Sequence, residues 1–237
     1  ITYSFYDVWA ALFNIPFERP ALDDDFNLVA ADYYKENGGV VIANPNAPTG
    51  IMQNEEFLRD VIEHNRDVVV IIDEAYVDFS GKSALSLTKE YDNVLIVQTF
   101  SKSRSMAGMG NPELIKAMND VRFSYNSYPM TRLSVALGIA AIEDEDYFRK
   151  TTGQIVETRE WTKERLTELG FSFGDSQTNF IFAKHATVDA EEIFAKLREK
   201  HIFVRHFNSE RIKNYLRISI GTREEMEKFI DELKCIL

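Results

Sequence analysis

Three short runs of consecutive apolar residues constrain this chain more than any other feature: GGVVIANP (residues 38–45), DVVVIIDEAY (67–76) and NVLIVQTF (93–100). Each is rich in β-branched residues, ends in turn or polar residues, and is apolar at successive rather than alternate positions. That pattern predicts strands covered on both faces. Between the first two lies NEEFLRDVIEHN (54–65), with helical spacing and Asn54 placed to cap it. Strands alternating with helices predict an α/β fold, a mostly parallel sheet with helices on both faces.

Upstream, residues 6–14 read as a helix and IPFERPAL (15–22) as a short strand. Beyond Asn111 the pattern changes. NPELIKAMNDVRF, TRLSVALGIAAIEDEDYF and KTTGQIVETREWTKERLTELG have helical spacing. Short strands then appear in FSFG, NFIFAK, IFVRHF and YLRISIG, interleaved with the helices DAEEIFAKLREKH and TREEMEKFIDELKCIL. This is an α+β arrangement. It predicts a large first domain over residues 1–145 and a smaller C-terminal α+β domain over 146–237.

The 237 residues suffice to bury a real core, and no apolar run approaches the length of a membrane span. A net charge of −11 disfavours general nucleic-acid or anionic-membrane binding, which would want a basic face. A local anion site remains compatible with it. Cys235, the single cysteine, sits in the last helical pattern and reads as a buried hydrophobe; one cysteine makes no internal disulfide, in keeping with a cytoplasmic protein. His64, His185, His201 and His206 show no metal-ligand spacing and read as surface or helix-end residues.

Ligands of open α/β sheets bind at the carboxyl ends of the strands. Here those ends carry NPNAPTG (44–50), DEAY (73–76) and Ser101-Lys102. Taken singly, each has a plain structural explanation: a turn, solvated carboxylates, a surface lysine. Their occurrence in this order on three strands of one sheet narrows the choice.

With TYSFY, NPNAPTG, IIDEAYVDF, TFSKSRSMAGM, RFSYNSY and YLRISIGTREEME, nearly the whole chain resembles the fold-type I pyridoxal-phosphate aminotransferases, and within them the histidinol-phosphate aminotransferase family. The resemblance implies pyridoxal 5′-phosphate as cofactor, bound as a Schiff base on Lys102, whose freed amine then moves the substrate proton. Asp73 matches the carboxylate that keeps the ring nitrogen protonated by charge pairing. Tyr76 matches the donor to the phenolic oxygen, Ser101 a phosphate-binding hydroxyl, and Tyr3 the aromatic that stacks on the ring. The family places an asparagine directly before Pro-Thr-Gly; here that position is Ala47, and Asn46 is the expected substitute. Arg217 matches the arginine that grips substrate carboxylate or phosphate, and Arg205 a second, phosphate-side arginine. Arg104 matches no family role and reads as structural or solvated.

Two departures accompany the match. The chain opens on ITYSFYDVWAALF, inside what reads as structured sequence, so the protein is expected to begin upstream. After Ala107-Gly108-Met109 the family continues with a phosphate-binding arginine and a strand, whereas here Gly110 leads directly into Asn111-Pro112. Met109-Gly110 is therefore expected to be a junction from which a segment is absent. Both absences would surround the cofactor phosphate, the pattern expected of a crystal lacking the cofactor.

The implied activity is transfer of an amino group between L-histidinol phosphate and 2-oxoglutarate in histidine biosynthesis, by a homodimer whose sites are shared. Threonine-phosphate decarboxylase and aromatic-amino-acid aminotransferase are rivals of the same fold. An aminotransferase-like sensor domain of a transcription regulator is the non-enzymatic rival.

Overall fold

The computed structural model describes residues 1–104 and 132–237. The Met109-Gly110 junction and the expected helix at Asn111 lie outside the described residues, as do RFSYNSY and the expectations attached to all three. The described chain forms two compact units, one of Ile1–Tyr3, Arg19–Gln98 and Gly153–Leu237, the other of Ser4–Glu18 and Thr99–Thr152.

In the first unit, β1 (Val40–Ala43), β2 (Val70–Asp73) and β3 (Val94–Val97) form a parallel sheet in that order. Val40, Val70 and Val94 lie in one row, and Ala43, Asp73 and Val97 in another. Two bonds continue the ladder past the strand ends: Asn44 N–H to Asp73 O (2.8 Å) and Glu74 N–H to Val97 O (2.7 Å). Helix α2 (Glu55–Glu63) is capped as expected, the Asn54 side chain accepting from Phe57 N–H at 2.8 Å. It buries Leu58, Val61 and Ile62 against Val40, Ile42, Val70, Ile72 and Val94. The opposite face departs from expectation. Val41, Leu95 and Val97 are 46%, 53% and 48% exposed, so the apolar runs are covered on one face only among the described residues. No strand forms over residues 15–22, where Pro16 and Pro20 lack the N–H groups a ladder needs.

The same unit holds a second, antiparallel sheet in the order β4-β5-β7-β6, made of β4 (Phe171–Phe173), β5 (Phe180–His185), β6 (Arg205–His206) and β7 (Leu216–Ser219). Its apolar face packs on α5 (Ala190–Glu199) and α6 (Arg223–Ile236) through Ile193, Leu197, Met226, Phe229, Ile230 and Leu233. A capping box starts α6: Thr222 Oγ1 accepts from Glu225 N–H, and the Glu225 carboxylate accepts from Thr222 N–H at 2.8 Å. Cys235 is exposed, contrary to the sequence reading. The buried stripe of α6 runs through Met226, Phe229, Ile230 and Leu233, and position 235 falls off that stripe.

The second unit contains α1 (Phe5–Leu12), none of whose residues is buried, and α3 (Arg132–Glu143). Helix α4 (Glu145–Glu168) begins in this unit and continues into the first. Among the described residues no helix is long and apolar enough to cross a membrane.

Candidate active site

The candidate site is built outward from the carboxyl end of β2. Asp73 ends the central strand, flanked in register by Ala43 and Val97, and its Oδ1 accepts from Ala75 N–H at 3.0 Å. That bond turns the chain toward Tyr76 and the short 3-10 turn Val77–Phe79. Tyr76 meets Phe180 of β5 edge to face, with centroids 5.2 Å apart and planes at 86°. Phe180 is also 5.1 Å from the Arg217 guanidinium carbon. One buried ring therefore touches both a candidate cofactor residue and a candidate substrate residue.

Arg217 lies directly opposite Arg205 on β6 and Phe182 on β5. Residues directly opposite in an antiparallel pair project to the same face, so both arginines share one side of this sheet. Two like charges in such a pair are unfavourable unless an anion joins them. Among the described residues Arg217 Nε, like Arg165 Nε, is buried without a hydrogen-bond partner; at Arg217, beside Arg205, this suits an arginine that receives an anion. Arg205 packs over Phe207 at 5.6 Å and lines an open depression of about 470 Å³ with Phe194, His206, Phe207, Asn208 and Ser209.

The 44–50 loop is fixed by its own polar groups. Asn44 is fully buried, its side chain exchanging two bonds with the Gln53 backbone at 2.7 and 3.2 Å. Asn46 donates both Nδ2 hydrogens within the protein, to Thr49 Oγ1 (2.9 Å) and Ile1 O (3.1 Å), while its Oδ1 accepts from Thr2 Oγ1 at 2.8 Å. A primary amide has two N–H donors. Asn46 would have to give up one of these bonds to donate to a cofactor oxygen in place of the residue missing at Ala47. Tyr3 follows in the chain and is 44% exposed as a residue.

In the second unit Ser101 N–H donates to Thr99 Oγ1 at 3.1 Å, and the Thr99 and Ser101 hydroxyls are in close contact. Lys102 is half-buried and follows β3 by five residues. Arg104 donates to Ala141 O and stacks over Phe148 at 3.9 Å, so its structural reading fits this packing.

Three residues were missed by the sequence reading. Glu74, expected to be a solvated carboxylate, is 1% exposed. It accepts from Ser83 Oγ (2.7 Å), Ala84 N–H (2.6 Å) and Gln98 Nε2 (2.9 Å). Arg159 of α4 is buried and donates to Phe79 O (3.3 Å) and Thr178 O (2.9 Å), bracing the turn after Tyr76. Phe180 was read only as part of a strand. Nothing in DEAY sets Glu74 apart from Asp73, and nothing in ETREWT (157–162) marks Arg159 as buried.

Within the first unit, a parallel strand end carrying Asp73 and an arginine whose buried Nε has no hydrogen-bond partner among the described residues suit anionic ligands. The family model for aminotransferases of class I and II matches residues 1–233. The chain belongs to the class I and II aminotransferase family. This aminotransferase is 46% identical over 243 residues to histidinol-phosphate aminotransferase of Clostridium botulinum (strain Okra / Type B1), covering 100% of this chain and 69% of that protein. It is 48% identical over 244 residues to histidinol-phosphate aminotransferase of Brachyspira hyodysenteriae, again with 100% and 69% coverage. The histidinol-phosphate aminotransferase from Clostridium acetobutylicum shares the fold, with a TM-score of 0.85 at 22% identity over 99% of this chain and 75% of that one. The enzyme from Sinorhizobium meliloti, solved in complex with pyridoxal-5′-phosphate, gives a TM-score of 0.76 at 26% identity over 99% and 68%. Aminotransferase of the α/β class, as expected from the sequence, is thus what the relatives and the fold agree on.

Proposed function

We propose that this aminotransferase moves an amino group between L-histidinol phosphate and 2-oxoglutarate. Identity of 46–48% over the whole chain to histidinol-phosphate aminotransferases carries this reading. Pyridoxal phosphate, when bound, supplies the electron sink that labilises the proton on the substrate α-carbon. Lys102 Nζ would hold the cofactor covalently and, once freed, carry that α-proton. The Asp73 carboxylate would keep a proton on the ring nitrogen by charge pairing. Tyr76 would donate to the phenolic oxygen, Ser101 to the phosphate, and Tyr3 would cover the ring face. Asn46 enters this set only by exchanging one of its loop bonds. Arg217 would grip the carboxylate of 2-oxoglutarate or the phosphate of the amine, assisted by Arg205.

We also propose a cytoplasmic homodimer with shared sites, a division into residues 1–145 and 146–237, and no nucleic-acid or membrane partner; the acidic net charge of −11 favours the last. Likeness to a decarboxylase from Sulfurospirillum multivorans, at a TM-score of 0.73 and 25% identity, keeps a lyase as the second reading. Incubation with histidinol phosphate and 2-oxoglutarate should yield glutamate without carbon dioxide. Release of carbon dioxide from threonine phosphate with no glutamate formed would favour the lyase.

A further inference from the structure

Glu74 is a buried carboxylate in the DEAY segment to which the reaction assigns no part. Its position is specific. It follows Asp73 directly, its N–H bonds Val97 O at 2.7 Å, and its Oε2 accepts from Gln98 Nε2 at 2.9 Å. Main chain and side chain thus both grip the point where β3 ends. Gln98 is four residues before Lys102, and the chain between them is only Thr99, Phe100 and Ser101. The same carboxylate also accepts from Ser83 Oγ and Ala84 N–H, so it cannot swing away without leaving a buried charge unpaired. Gln98 is itself largely exposed, and surface glutamines are rarely held in place. This one is held because its amide reaches inward to a charge.

We infer that Glu74 is a positioning residue: by fixing Gln98 to the end of the strand bearing Asp73, it sets where the lysine-bearing loop departs. The inference rests on Lys102 being the cofactor lysine, as proposed above. The carboxylate accepts three bonds, one at Oε1 from Ala84 N–H and two at Oε2 from Ser83 Oγ and Gln98 Nε2. A glutamine at 74 would put an NH₂ where Oε2 accepts from Ser83 Oγ and Gln98 Nε2. Gln98 then keeps a bond only by turning its Oε1 inward, without the charge that strengthens the present one. Exchanging the pair, Glu74→Gln with Gln98→Glu, restores one donor facing one acceptor at unchanged total charge.

The test compares the intact enzyme with E74Q, Q98L, the E74Q/Q98E exchange and S83A, a control that removes a different bond from the same carboxylate. The readouts are the thermal midpoint of the cofactor-free protein, the dissociation constant for pyridoxal phosphate, and the pH midpoint of the cofactor's visible band. E74Q should weaken cofactor affinity about tenfold, the scale of a lost bond to a charged group, and move the band's pH midpoint. Q98L should do so to a smaller extent, S83A should lower only the thermal midpoint, and the exchange should recover both cofactor readouts. Unchanged affinity and spectrum in E74Q and Q98L, or shifts equal to those of S83A, would overturn the inference. Should E74Q not fold, Q98L at its exposed position decides. A visible band in unmodified enzyme that survives Lys102→Ala would instead defeat the assignment of the lysine, a separate result.

Discussion

Tyr76 and Arg217 share a neighbour: both rest against the ring of Phe180, the tyrosine at 5.2 Å between centroids and the arginine at 5.1 Å from its guanidinium carbon. The ring thereby couples the turn after β2 to the strand that presents the anion-binding guanidinium. Replacing Phe180 by leucine keeps an apolar side chain in this buried position but removes the π face. A desolvated cation–π contact is worth roughly 0.5–2 kcal/mol. KM for histidinol phosphate and 2-oxoglutarate should therefore rise about twofold to thirtyfold in F180L. Steady-state kinetics with each substrate varied would show it, and unchanged KM values would deny the ring a role in orienting Arg217.

Arg217 itself makes a sharper test. Lysine retains the charge and loses the planar fork that grips carboxylate or phosphate with two bonds. In R217K, KM for 2-oxoglutarate should rise at least about tenfold, with a smaller loss in kcat. A kcat loss without any KM change would place the arginine outside the substrate site.

Gly50 fixes the 44–50 loop against the second sheet. Its φ is +76°, and an added Cβ would lie 2.8 Å from Ser176 Oγ. Gln177 N–H also bonds Gly50 O at 2.9 Å, so the loop has no easy retreat. Alanine here meets both left-handed strain and a clash, each costing on the order of 1 kcal/mol or more. G50A should lower stability by about 2 kcal/mol, read as a reduced urea midpoint with unchanged slope.

The sheet was legible because its information is local: β-branched runs ended by turn residues place β1, β2 and β3, and Asn54 and Thr222 announce their caps. Which faces would be covered was not. Consecutive apolar positions report that Val41, Leu95 and Val97 are apolar, not what packs on them. The same limit applies to polar residues. Asp73 stood out by its place at a strand end, yet Glu74 beside it looked equally solvated. Its burial depends on Ser83, Ala84 and Gln98, which approach from elsewhere in the chain. Asn46 was legible as part of a turn, whereas the use of both its amide hydrogens by Thr49 and Ile1 needed coordinates. Arg205 and Arg217 are twelve positions apart in sequence, and only the β6–β7 register sets them side by side.

Thr222 offers a test of the second sheet's support. Its side chain and that of Glu225 satisfy each other's backbone N–H groups at the start of α6, the helix that carries Met226, Phe229, Ile230 and Leu233 into the core. Thr222→Ala should cost about 1 kcal/mol. Denaturant unfolding should register that loss, and cofactor affinity should not change.

Lys163 of α4 gives a prediction in pH. Its ammonium bonds Asp175 at 2.7 Å and Glu160 at 2.9 Å. The bond from Lys163 holds the Asp175 carboxyl below its usual range. Burial alone would push Glu160 up, but Lys163 and Arg159 together bring it below its ordinary value. A carboxyl lowered in the folded state stabilises above its unfolded pKa, and that stability is lost as pH falls through the folded one. For these groups the window opens near pH 4.5 and extends downward. Both carboxylates are largely exposed, so solvent screening keeps the effect small. Lys163→Met preserves the apolar stem and removes the charge. The mutant should melt below the parent at pH 7, and the gap should close progressively as pH drops below about 4. A gap that persists unchanged to pH 3 would assign the loss to packing of the half-buried stem rather than to its charge.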